Sequence, residues 1–390
     1  MADEPNGAVV VGGGAAGLAA AAMLDRAGIR ALALEAEAEP GAAWRHRYDR
    51  LHLHTPRGLS GLPGYKIPRR YGRWVARDDV LAYLHDYAQH HALDVRANTR
   101  VDRIDRDDAM WIARTSDGDF RAPHIVLATG HNAVPYTPDW PGRETYRGEL
   151  AHASTYRNAA PYRDRDVLVV GTGNTGAEIA ADLAEQGAAR VRIAVRTPPH
   201  ITRRSSLGIP TQALGIALTR LPPRVGGALA AGMRRVAIPD LEPYGLPRPA
   251  ERLGAQFART HTIPILDVGF VAAVRERRVE VVAAVERLDG DEVVLADGAR
   301  IAPEIVLAAT GYRPGLEPLV GHLGVLAERG LPRDREPAPG LHFIGYWPTL
   351  GGMLRVIGID ARALARRVAE SGRPDPNRRP PAPKAGALPG

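Results

Sequence analysis

Short apolar runs alternate with alanine-rich amphipathic segments in the first part of the chain. The run at 8–11 is followed by a glycine turn, by a strong helix former at 15–27 and, after Gly28, by a second apolar run at 30–34. The same order of strand, glycine turn, helix and strand recurs at 166–196. We therefore predict an α/β fold with two Rossmann-like dinucleotide-binding units, each built on a repeat of the same mononucleotide-binding half.

The rest of the pattern assigns further elements to these units. An acid-capped segment at 78–90 has apolar residues at helical spacing, and short strands are expected over 101–128 and 279–294. A terminal helix is expected at 360–370, whereas 198–264 is rich in proline and glycine and is predicted to be irregular. The predicted organisation is a discontinuous first domain at 1–157 and 298–370, a second domain at 158–297 with a lid-like excursion at 198–264, and a disordered tail at 371–390.

Composition limits the function classes. The chain has 390 residues, 45% hydrophobic and 24% charged, which is ordinary for a globular protein of about two domains. It lacks an apolar run of about 18 residues, and its acidic start is unlike a secretion signal, so we expect a cytoplasmic protein without a transmembrane segment. The net charge is +7, but no nucleic-acid-binding motif accompanies it. We therefore expect no nucleic-acid partner.

The chain contains no cysteine. Several flavoprotein families combine two dinucleotide loops with a redox-active cysteine pair. Disulfide reduction and thiolate-based peroxide reduction both need a thiol, so both reactions are excluded. No zinc-ligand spacing is present either, and we expect no metal.

The first glycine turn reads G-x-G-x-x-G. Gly12 permits the tight turn, Gly14 lets backbone amides approach a pyrophosphate, and Gly17 lets the helix pack closely on the strand. The helix N-terminus directs partial positive charge at the phosphates. Glu35 ends the second strand about 20 residues later, as contact with a ribose hydroxyl requires. We predict a dinucleotide with a free ribose hydroxyl here, such as FAD; the alternative is a glycine turn without a ligand.

The second glycine turn repeats this arrangement with Gly171, Gly173 and Gly176. At the end of its second strand, however, Arg196 stands where the first unit has Glu35, and Arg204 follows nearby. An arginine suits a 2′-phosphate, which a carboxylate would repel. We predict NADPH at this site; the alternative for Arg196 is a solvated strand end in an arginine-rich chain.

Between the two units lies the segment "YRGELAHASTY" at 146–156, and two apolar strands end in "ATG" turns at 128–130 and 309–311. Together with the two loops and the overall length, these features resemble the flavin-containing monooxygenases over nearly the whole chain. That family's fingerprint, F-x-G-x-x-x-H-x-x-x-(Y/F), is matched by Tyr146, Gly148, His152 and Tyr156, with tyrosine in the first place. The sister Baeyer–Villiger enzymes carry tryptophan at the last position, so Tyr156 favours the first group.

The chain departs from the family pattern at three points. The family often shows G-G-x-W after the ribose acid, whereas Ala42 takes the second place ahead of Trp44 here. Many members have an asparagine near the flavin where this chain has His54, which is more similar to the smaller YUCCA-type branch that decarboxylates indole-3-pyruvate. The amine-substrate domain of the ornithine and lysine hydroxylases has no counterpart.

The resemblance implies a monooxygenase that takes dioxygen and a small-molecule substrate. NADPH would reduce FAD, a C4a-(hydro)peroxyflavin would form, and one oxygen atom would pass to the substrate. N- or S-oxygenation and oxidative decarboxylation of a 2-oxo acid rank together, ahead of Baeyer–Villiger ketone oxygenation. An NADPH–flavin reductase without oxygenase activity, a non-catalytic nucleotide sensor and assembly into a homodimer are left open.

The resemblance does not require a catalytic triad, because the cofactor carries the chemistry. His54 is the candidate catalytic residue, with a hydrogen-bonded structural histidine as the alternative, whereas His152 is interpreted as structural. Tyr156 is expected to contact NADPH. The other residues expected at the cofactors are Ala16, Trp44, Arg45, Leu53, Val101, Ala128, Thr129, Gly130, Asn174, Thr175, Thr197, Arg204, Thr310, Gly311 and Tyr312.

Overall fold

The computed structural model describes residues 7–206, 208–218 and 221–371. The fold is α/β, as predicted, and contains two parallel five-stranded sheets with smaller sheets beside them. The α-helices of the described residues, α1 to α9 in chain order, are Ala15–Arg26, Arg77–His90, Asn174–Glu185, Thr211–Leu218, Pro223–Ala237, Leu253–Thr260, Phe270–Arg275, Glu317–Val320 and Met353–Ser371.

The first sheet carries the N-terminal glycine turn. Its parallel strands lie in the order Leu341–Phe343, His124–Leu127, Ala8–Val11, Ala31–Leu34 and Asp94–Arg96. Successive strand residues point to opposite faces, so Val10 packs with α1, α2 and α9 while Val9 packs on the other side. That side is covered by an antiparallel sheet of Val101–Asp107, Met110–Thr115 and Gly118–Ala122. Both faces are therefore buried, as a parallel sheet requires.

The second sheet carries the second glycine turn. Its parallel strands lie in the order Glu280–Ala283, Arg190–Val195, Asp166–Val170, Ile305–Ala308 and Glu149–His152. Val169 packs with α3 and α7, and Leu168 packs on the opposite face. An antiparallel sheet covers that face, with strands Val285–Asp289, Glu292–Leu295 and Arg300–Ile301. The two units thus share one architecture, as the internal repeat predicts.

Sheet membership differs from the predicted domain boundaries. Glu149–His152 and Ile305–Ala308 fall in the ranges predicted for the first domain, yet both pair in the second sheet. The reason is that each apolar run ending in "ATG" forms the third strand of its own unit. His124–Leu127 pairs with Ala8–Val11, and Ile305–Ala308 pairs with Asp166–Val170. Boundaries at 157 and 298 therefore separate strands that belong to one sheet.

The excursion at 198–264 is framed by two strands, Ile201–Arg203 and Ile265–Asp267, which pair in parallel. Its proline and glycine content predicted irregular backbone, but the described residues form α4, α5 and α6. Pro210 ends the short strand Ile209–Pro210, which pairs with Ser205–Ser206 directly before α4. Pro223 occupies the first position of α5, where its missing N–H costs nothing. The prolines therefore delimit these helices instead of breaking them.

The terminal helix begins earlier than the predicted start at 360. Leu354, Ile357, Ala361 and Leu364 are buried at helical spacing on α9 and pack with α1, so the helix begins about two turns before the predicted start. The predicted disordered tail lies outside the described residues beyond Ser371. The remaining pair of strands, Val134–Pro135 with Tyr312–Arg313, links the segments after the two "ATG" turns.

Candidate cofactor and substrate site

The first glycine turn forms a cradle that side chains would destroy. A Cβ on Gly17 would lie 1.8 Å from the carbonyl oxygen of Gly12, and Gly12 itself has a φ of +107°. A Cβ on Gly14 would meet no atom within 4 Å, because that position faces open space. α1 starts directly after Gly14 with no side-chain cap, so its first N–H groups are available to an anion. This geometry fits the pyrophosphate of FAD.

The second glycine turn has the same geometry. A Cβ on Gly176 would lie 2.0 Å from the carbonyl oxygen of Gly171, and Gly171 has a φ of +115°. A Cβ on Gly173 would again meet nothing within 4 Å, and α3 starts after it without a side-chain cap. Two independent turns therefore keep an uncapped helix N-terminus open, which fits a chain with two dinucleotides.

Glu35 and Arg196 occupy equivalent places, each one residue past the second strand of its unit. The Glu35 carboxylate accepts hydrogen bonds from the backbone N–H of Gly13 at 2.6 Å and of Glu37 at 2.9 Å. It is thereby held beside the first cradle. Arg196 is exposed at the mouth of the second turn, with the neighbouring Thr197 also exposed. The two cradles therefore differ in the charge beside them, as the sequence predicts.

A cavity of about 1750 Å³ runs from the first cradle towards the excursion helices. Many of the predicted cofactor residues line it, together with His54. They are Gly12, Gly14, Ala16, Glu35, Trp44, Leu53, Val101, Ala128, Thr129, Gly130, Asn174, Thr175 and Tyr312. The cavity therefore joins most of the first predicted site to the start of α3.

The other predicted residues lie off this cavity. Gly17 is packed against the turn, and Arg45 pairs with Glu39 on the surface. The remaining residues off the cavity are Tyr156, Gly171, Gly173, Gly176, Arg196, Thr197, Arg204, Thr310 and Gly311. Most of them surround the second glycine turn.

The two "ATG" turns are held by different anchors. The first turn is fixed by Tyr346, whose hydroxyl accepts the N–H of Thr129 at 3.0 Å and lies 2.8 Å from its Oγ1. Burial raises the pKa of Tyr346 to about 12, so the phenol stays protonated. The second turn is fixed by His152, whose Nε2 donates to the carbonyl oxygen of Gly311 at 3.0 Å.

The second ring nitrogen of His152 is also used. Its Nδ1 accepts the backbone N–H of Ser154 at 3.0 Å. Burial lowers the pKa of His152, which favours the neutral ring that this pattern needs. With both nitrogens committed to the backbone, the ring has the structural role that the sequence analysis favours.

Tyr156 lies inside the second core and not at the cavity. It is 1% exposed, and its hydroxyl donates to Asp182 Oδ2 at 2.6 Å. Asp182 also accepts from Arg50 at 3.1 Å. The predicted contact of Tyr156 with NADPH is not what the structure shows. The strand Glu149–His152 ends four residues earlier, and the chain then turns into the core, which buries the ring.

Arg204 also differs from its predicted place at a 2′-phosphate. Its Nη2 donates to the carbonyl oxygen of Leu53 at 2.8 Å, and its guanidinium lies 4.2 Å from the ring centre of Trp74. Burial lowers the pKa of Arg204, and Glu178 opposes that shift. Its Nε is buried and, within the described part of the chain, has no hydrogen-bond partner. Arg204 is therefore held by residues that precede the second unit.

His54 lines the cavity and contacts the second unit. Its Nε2 is in hydrogen-bonding contact with Oε1 of Glu178, and Tyr48 donates to Oε2 of the same carboxylate at 2.9 Å. Glu178 lies on α3 and is 4% exposed. Glu178, Tyr48 and Tyr346 were not among the residues predicted from the sequence. A usable signal was present for Glu178 and Asp182, which are two acids at i, i+4 spacing among the alanines, isoleucine and leucine of α3.

The excursion supplies the apolar end of the cavity. α4 and α5 contribute residues such as Leu214, Leu218 and Met233 to its wall, and α9 contributes Met353 and Ile357 opposite them. Gln212 on α4 donates to the carbonyl oxygen of Gly351 at 2.5 Å, so the excursion touches the segment before α9. The excursion's share of the cavity wall is thus mainly apolar, although Arg224 and Arg252 also line it.

Among the residues described, no three or more His, Cys, Asp or Glu side chains gather in a way that could hold a metal ion. The described helices also include none with both the length and the apolar character that a membrane crossing needs.

Two uncapped glycine cradles, one with a carboxylate beside it and one with an arginine, fit the class of flavoprotein oxidoreductases that use FAD and NADPH. The comparisons agree. Residues 9–209 match the family model described as pyridine nucleotide-disulphide oxidoreductase. The chain belongs to this family, in which it is a flavin-dependent monooxygenase. Because it has no cysteine, it cannot carry out the thiol chemistry in the family's description.

The similar proteins are monooxygenases, and the similarity covers most of each chain. The probable indole-3-pyruvate monooxygenase YUCCA1 of Arabidopsis thaliana is 30% identical over 379 residues, which is 94% of this chain and 91% of that protein. The indole-3-pyruvate monooxygenase YUCCA1 of Oryza sativa subsp. japonica is 32% identical over 351 residues, 87% and 86% of the two chains. A solved flavin-containing monooxygenase from Stenotrophomonas maltophilia has a TM-score of 0.73 at 28% identity and covers 93% of this chain and 98% of its own.

Proposed function

We propose that this monooxygenase acts on a small 2-oxo acid with an apolar side chain and converts it to the carboxylic acid that is one carbon shorter. The balanced reaction consumes the 2-oxo acid, NADPH, a proton and dioxygen. It yields the shortened acid, carbon dioxide, NADP⁺ and water. One oxygen atom of dioxygen enters the new carboxyl group, and the other leaves as water.

The observation that carries this proposal is a cation beside an apolar cavity. Arg204 itself does not line the cavity, but it is bonded to Leu53, and both Leu53 and Thr202, two residues before Arg204, do line it. Its buried Nε has no partner among the described residues. A substrate carboxylate would satisfy that donor with a charge-assisted hydrogen bond. A neutral amine, sulfide or ketone would offer it only an uncharged and weaker acceptor.

The cavity supports an apolar remainder for the substrate. Leu214, Leu218 and Met233 of the excursion line it together with Met353 and Ile357 of α9. Burial of an aromatic or branched side chain there would provide the affinity, because each Å² of apolar surface removed from water contributes about 25 cal/mol. The relatives' names give indole-3-pyruvate, a 2-oxo acid with an aromatic side chain, as the substrate of those proteins.

The chain's own residues would bind, orient and shield. FAD would lie along the first glycine cradle with its ribose at Glu35, and the adenosine 2′-phosphate of NADPH would meet Arg196. Reduced FAD supplies the activation of dioxygen. The excursion helices would keep water from the cavity as a lid, and the substrate would lie between them and His54.

A product panel tests the proposal. The holoenzyme is incubated with NADPH, ¹⁸O₂ and, in turn, indole-3-pyruvate, phenylpyruvate, a thioether, a tertiary amine and a cyclic ketone. Catalase is present because free hydrogen peroxide decarboxylates 2-oxo acids without an enzyme. We expect carbon dioxide and one ¹⁸O atom in the shortened acid from the 2-oxo acids. Label that enters only a sulfoxide, an N-oxide or a lactone would contradict the proposal. NADPH oxidation without any labelled product would instead indicate a reductase.

A further inference from the structure

Glu178 is an unusual residue for its position. It lies in the second turn of α3, the helix that begins at the second glycine turn, and it is 4% exposed among alanine, isoleucine and leucine. An ionised carboxylate in such surroundings is destabilising unless hydrogen bonds compensate for the lost water. Its partners therefore decide what it does.

Both hydrogen-bond partners of Glu178 come from residues 48–54, a segment that precedes the second unit. Tyr48 donates to Oε2 at 2.9 Å, and the ring of His54 approaches Oε1 with its Nε2. Burial, reinforced by Glu178, raises the pKa of Tyr48 well above its usual value. The phenol is therefore a permanent donor, and one oxygen of Glu178 is always occupied. The other oxygen is left to His54.

This contact determines how His54 presents its ring. A carboxylate can only accept, so Nε2 of His54 must carry a proton. In the neutral ring Nδ1 is then a free acceptor, and no hydrogen bond to Nδ1 occurs within the described residues. His54 lines the cavity, whereas Glu178 does not. A histidine oriented in this way by a carboxylate is a common arrangement for taking up a proton.

The neighbouring acids on α3 behave differently. Asp182 and Glu185 also reach across to the first unit, but they contact Arg50 at 3.1 and 3.0 Å. Arg50 does not line the cavity. These two acids hold the units together without touching a cavity residue. Among the three, only Glu178 has a partner that a bound molecule could reach.

We propose that Glu178 is a positioning residue, which holds His54 in the Nε2–H form so that its Nδ1 is a proton acceptor at the cavity wall. Because Glu178 stands on the helix that begins at the NADPH cradle, it also fixes the position of this acceptor relative to the second unit. The proposal concerns His54 in the FAD- and NADPH-dependent enzyme and is independent of which substrate class the enzyme takes.

The tautomer of His54 is the first test. Histidine ¹⁵N spectra of the holoenzyme distinguish the two neutral tautomers, and the His54 signals are identified by their loss in His54→Gln. We expect the Nε2–H form in the native protein at neutral pH. We expect a mixture of the two forms in Glu178→Gln, because its amide can donate as well as accept. A native His54 in the Nδ1–H form, or a tautomer unaffected by Glu178→Gln, overturns the proposal.

A double-mutant comparison is the second test. Hydrogen peroxide release is measured after NADPH-reduced holoenzyme is mixed with dioxygen, in Glu178→Gln, His54→Gln and the double variant. We expect each single variant to change the release rate on the order of tenfold, and the double variant to match His54→Gln alone. Additive effects would mean that Glu178 acts independently of His54, which contradicts the proposal.

Glu185→Gln is the matched control. It removes an acid from the same helix and weakens an inter-unit ion pair, but it leaves His54 untouched. We expect native peroxide release and a native His54 tautomer in this variant, with FAD retained in all of them. An equal effect of Glu185→Gln would assign Glu178 to general inter-unit packing and would refute a positioning role.

Discussion

His152 and Gly311 are joined by a hydrogen bond of 3.0 Å from the imidazole Nε2 to the backbone carbonyl oxygen. His152 is the last residue of its strand, and Gly311 follows the neighbouring strand of the second sheet, in which Ala308 is paired with His152. The histidine thus fixes the turn at the carboxyl end of the adjacent strand. Such turns line the crevice where α/β sheets bind their ligands.

Replacement of His152 by alanine should disturb the second unit and spare the first. The substitution removes the bonds to Gly311 and Ser154, each worth about 1 kcal/mol. We expect a KM for NADPH that is about five- to tenfold higher, with more peroxide released per NADPH and with FAD still bound. KM, peroxide yield and the flavin absorbance report these three quantities. Loss of FAD with intact coupling in the residual holoenzyme would contradict this assignment.

Glu35→Gln should weaken FAD binding. The substitution keeps the shape of the side chain but removes the charge that accepts from Gly13 and that we propose meets the ribose. Hydrogen bonds to charged groups contribute about 1.5–3 kcal/mol, so we expect a Kd for FAD that is at least about tenfold higher. Flavin fluorescence quenching during reconstitution measures the Kd. Asp94→Asn, an exposed acid on the edge strand of the same sheet, is the control and should bind FAD normally.

Arg196→Ala should reduce the preference for NADPH over NADH. The side chain is exposed at the second cradle, where a 2′-phosphate would provide its partner. We expect kcat/KM for NADPH to fall about tenfold or more while that for NADH changes little. Arg190 lies at the other end of the same strand and pairs with Glu280. Arg190→Ala should therefore leave the ratio of the two kcat/KM values unchanged. An unchanged ratio in Arg196→Ala would mean that this arginine is a solvated strand end.

Arg204→Gln distinguishes two roles for that residue. If the guanidinium binds a substrate carboxylate, the KM for a 2-oxo acid should rise on the order of tenfold and the KM for NADPH should stay the same. The reverse result would restore the role at the 2′-phosphate. Arg73→Gln is the control, because Arg73 lies 5.5 Å from the same Trp74 ring without contacting Leu53. We expect steady-state kinetics close to those of the native enzyme in that variant.

His342 should make the protein acid-sensitive. It is 1% exposed on the strand Leu341–Phe343, and burial, with His124 as a second cause, lowers its pKa from 6.5 to about 3. Because the folded pKa is depressed, the stability from the neutral ring is present above pH 6.5 and is lost as the pH falls towards 3.

Urea unfolding at pH 7.5 and 5.5 checks this expectation. One such histidine should lower the free energy of unfolding by about 1.4 kcal/mol between these two pH values. His342→Gln should show a correspondingly smaller loss between the same two pH values, because it has no proton to gain. An equal loss in both proteins would assign the acid sensitivity to other groups.

The sequence by itself determined the two units, their nucleotides and the class of enzyme. Glycines at 12, 14 and 17, and again at 171, 173 and 176, can be recognised locally from their spacing. A Cβ would clash at the first and third of each set, whereas Gly14 and Gly173 leave open space at the helix N-terminus. The charges of Glu35 and Arg196 are equally local, since each follows its strand directly. Helical periodicity likewise gave α1 and α2 to within a residue or two, and it gave the presence of α3.

Only the tertiary structure decided which residues of different elements contact each other. The pairing of Ile305–Ala308 in the second sheet, the burial of Tyr156 on Asp182 and the contact of His54 with Glu178 join residues far apart in the chain. Local propensity and periodicity carry no information about such partners. The role of a polar side chain depends on which distant group satisfies it, and this is fixed only when the two sheets and the helices between them pack.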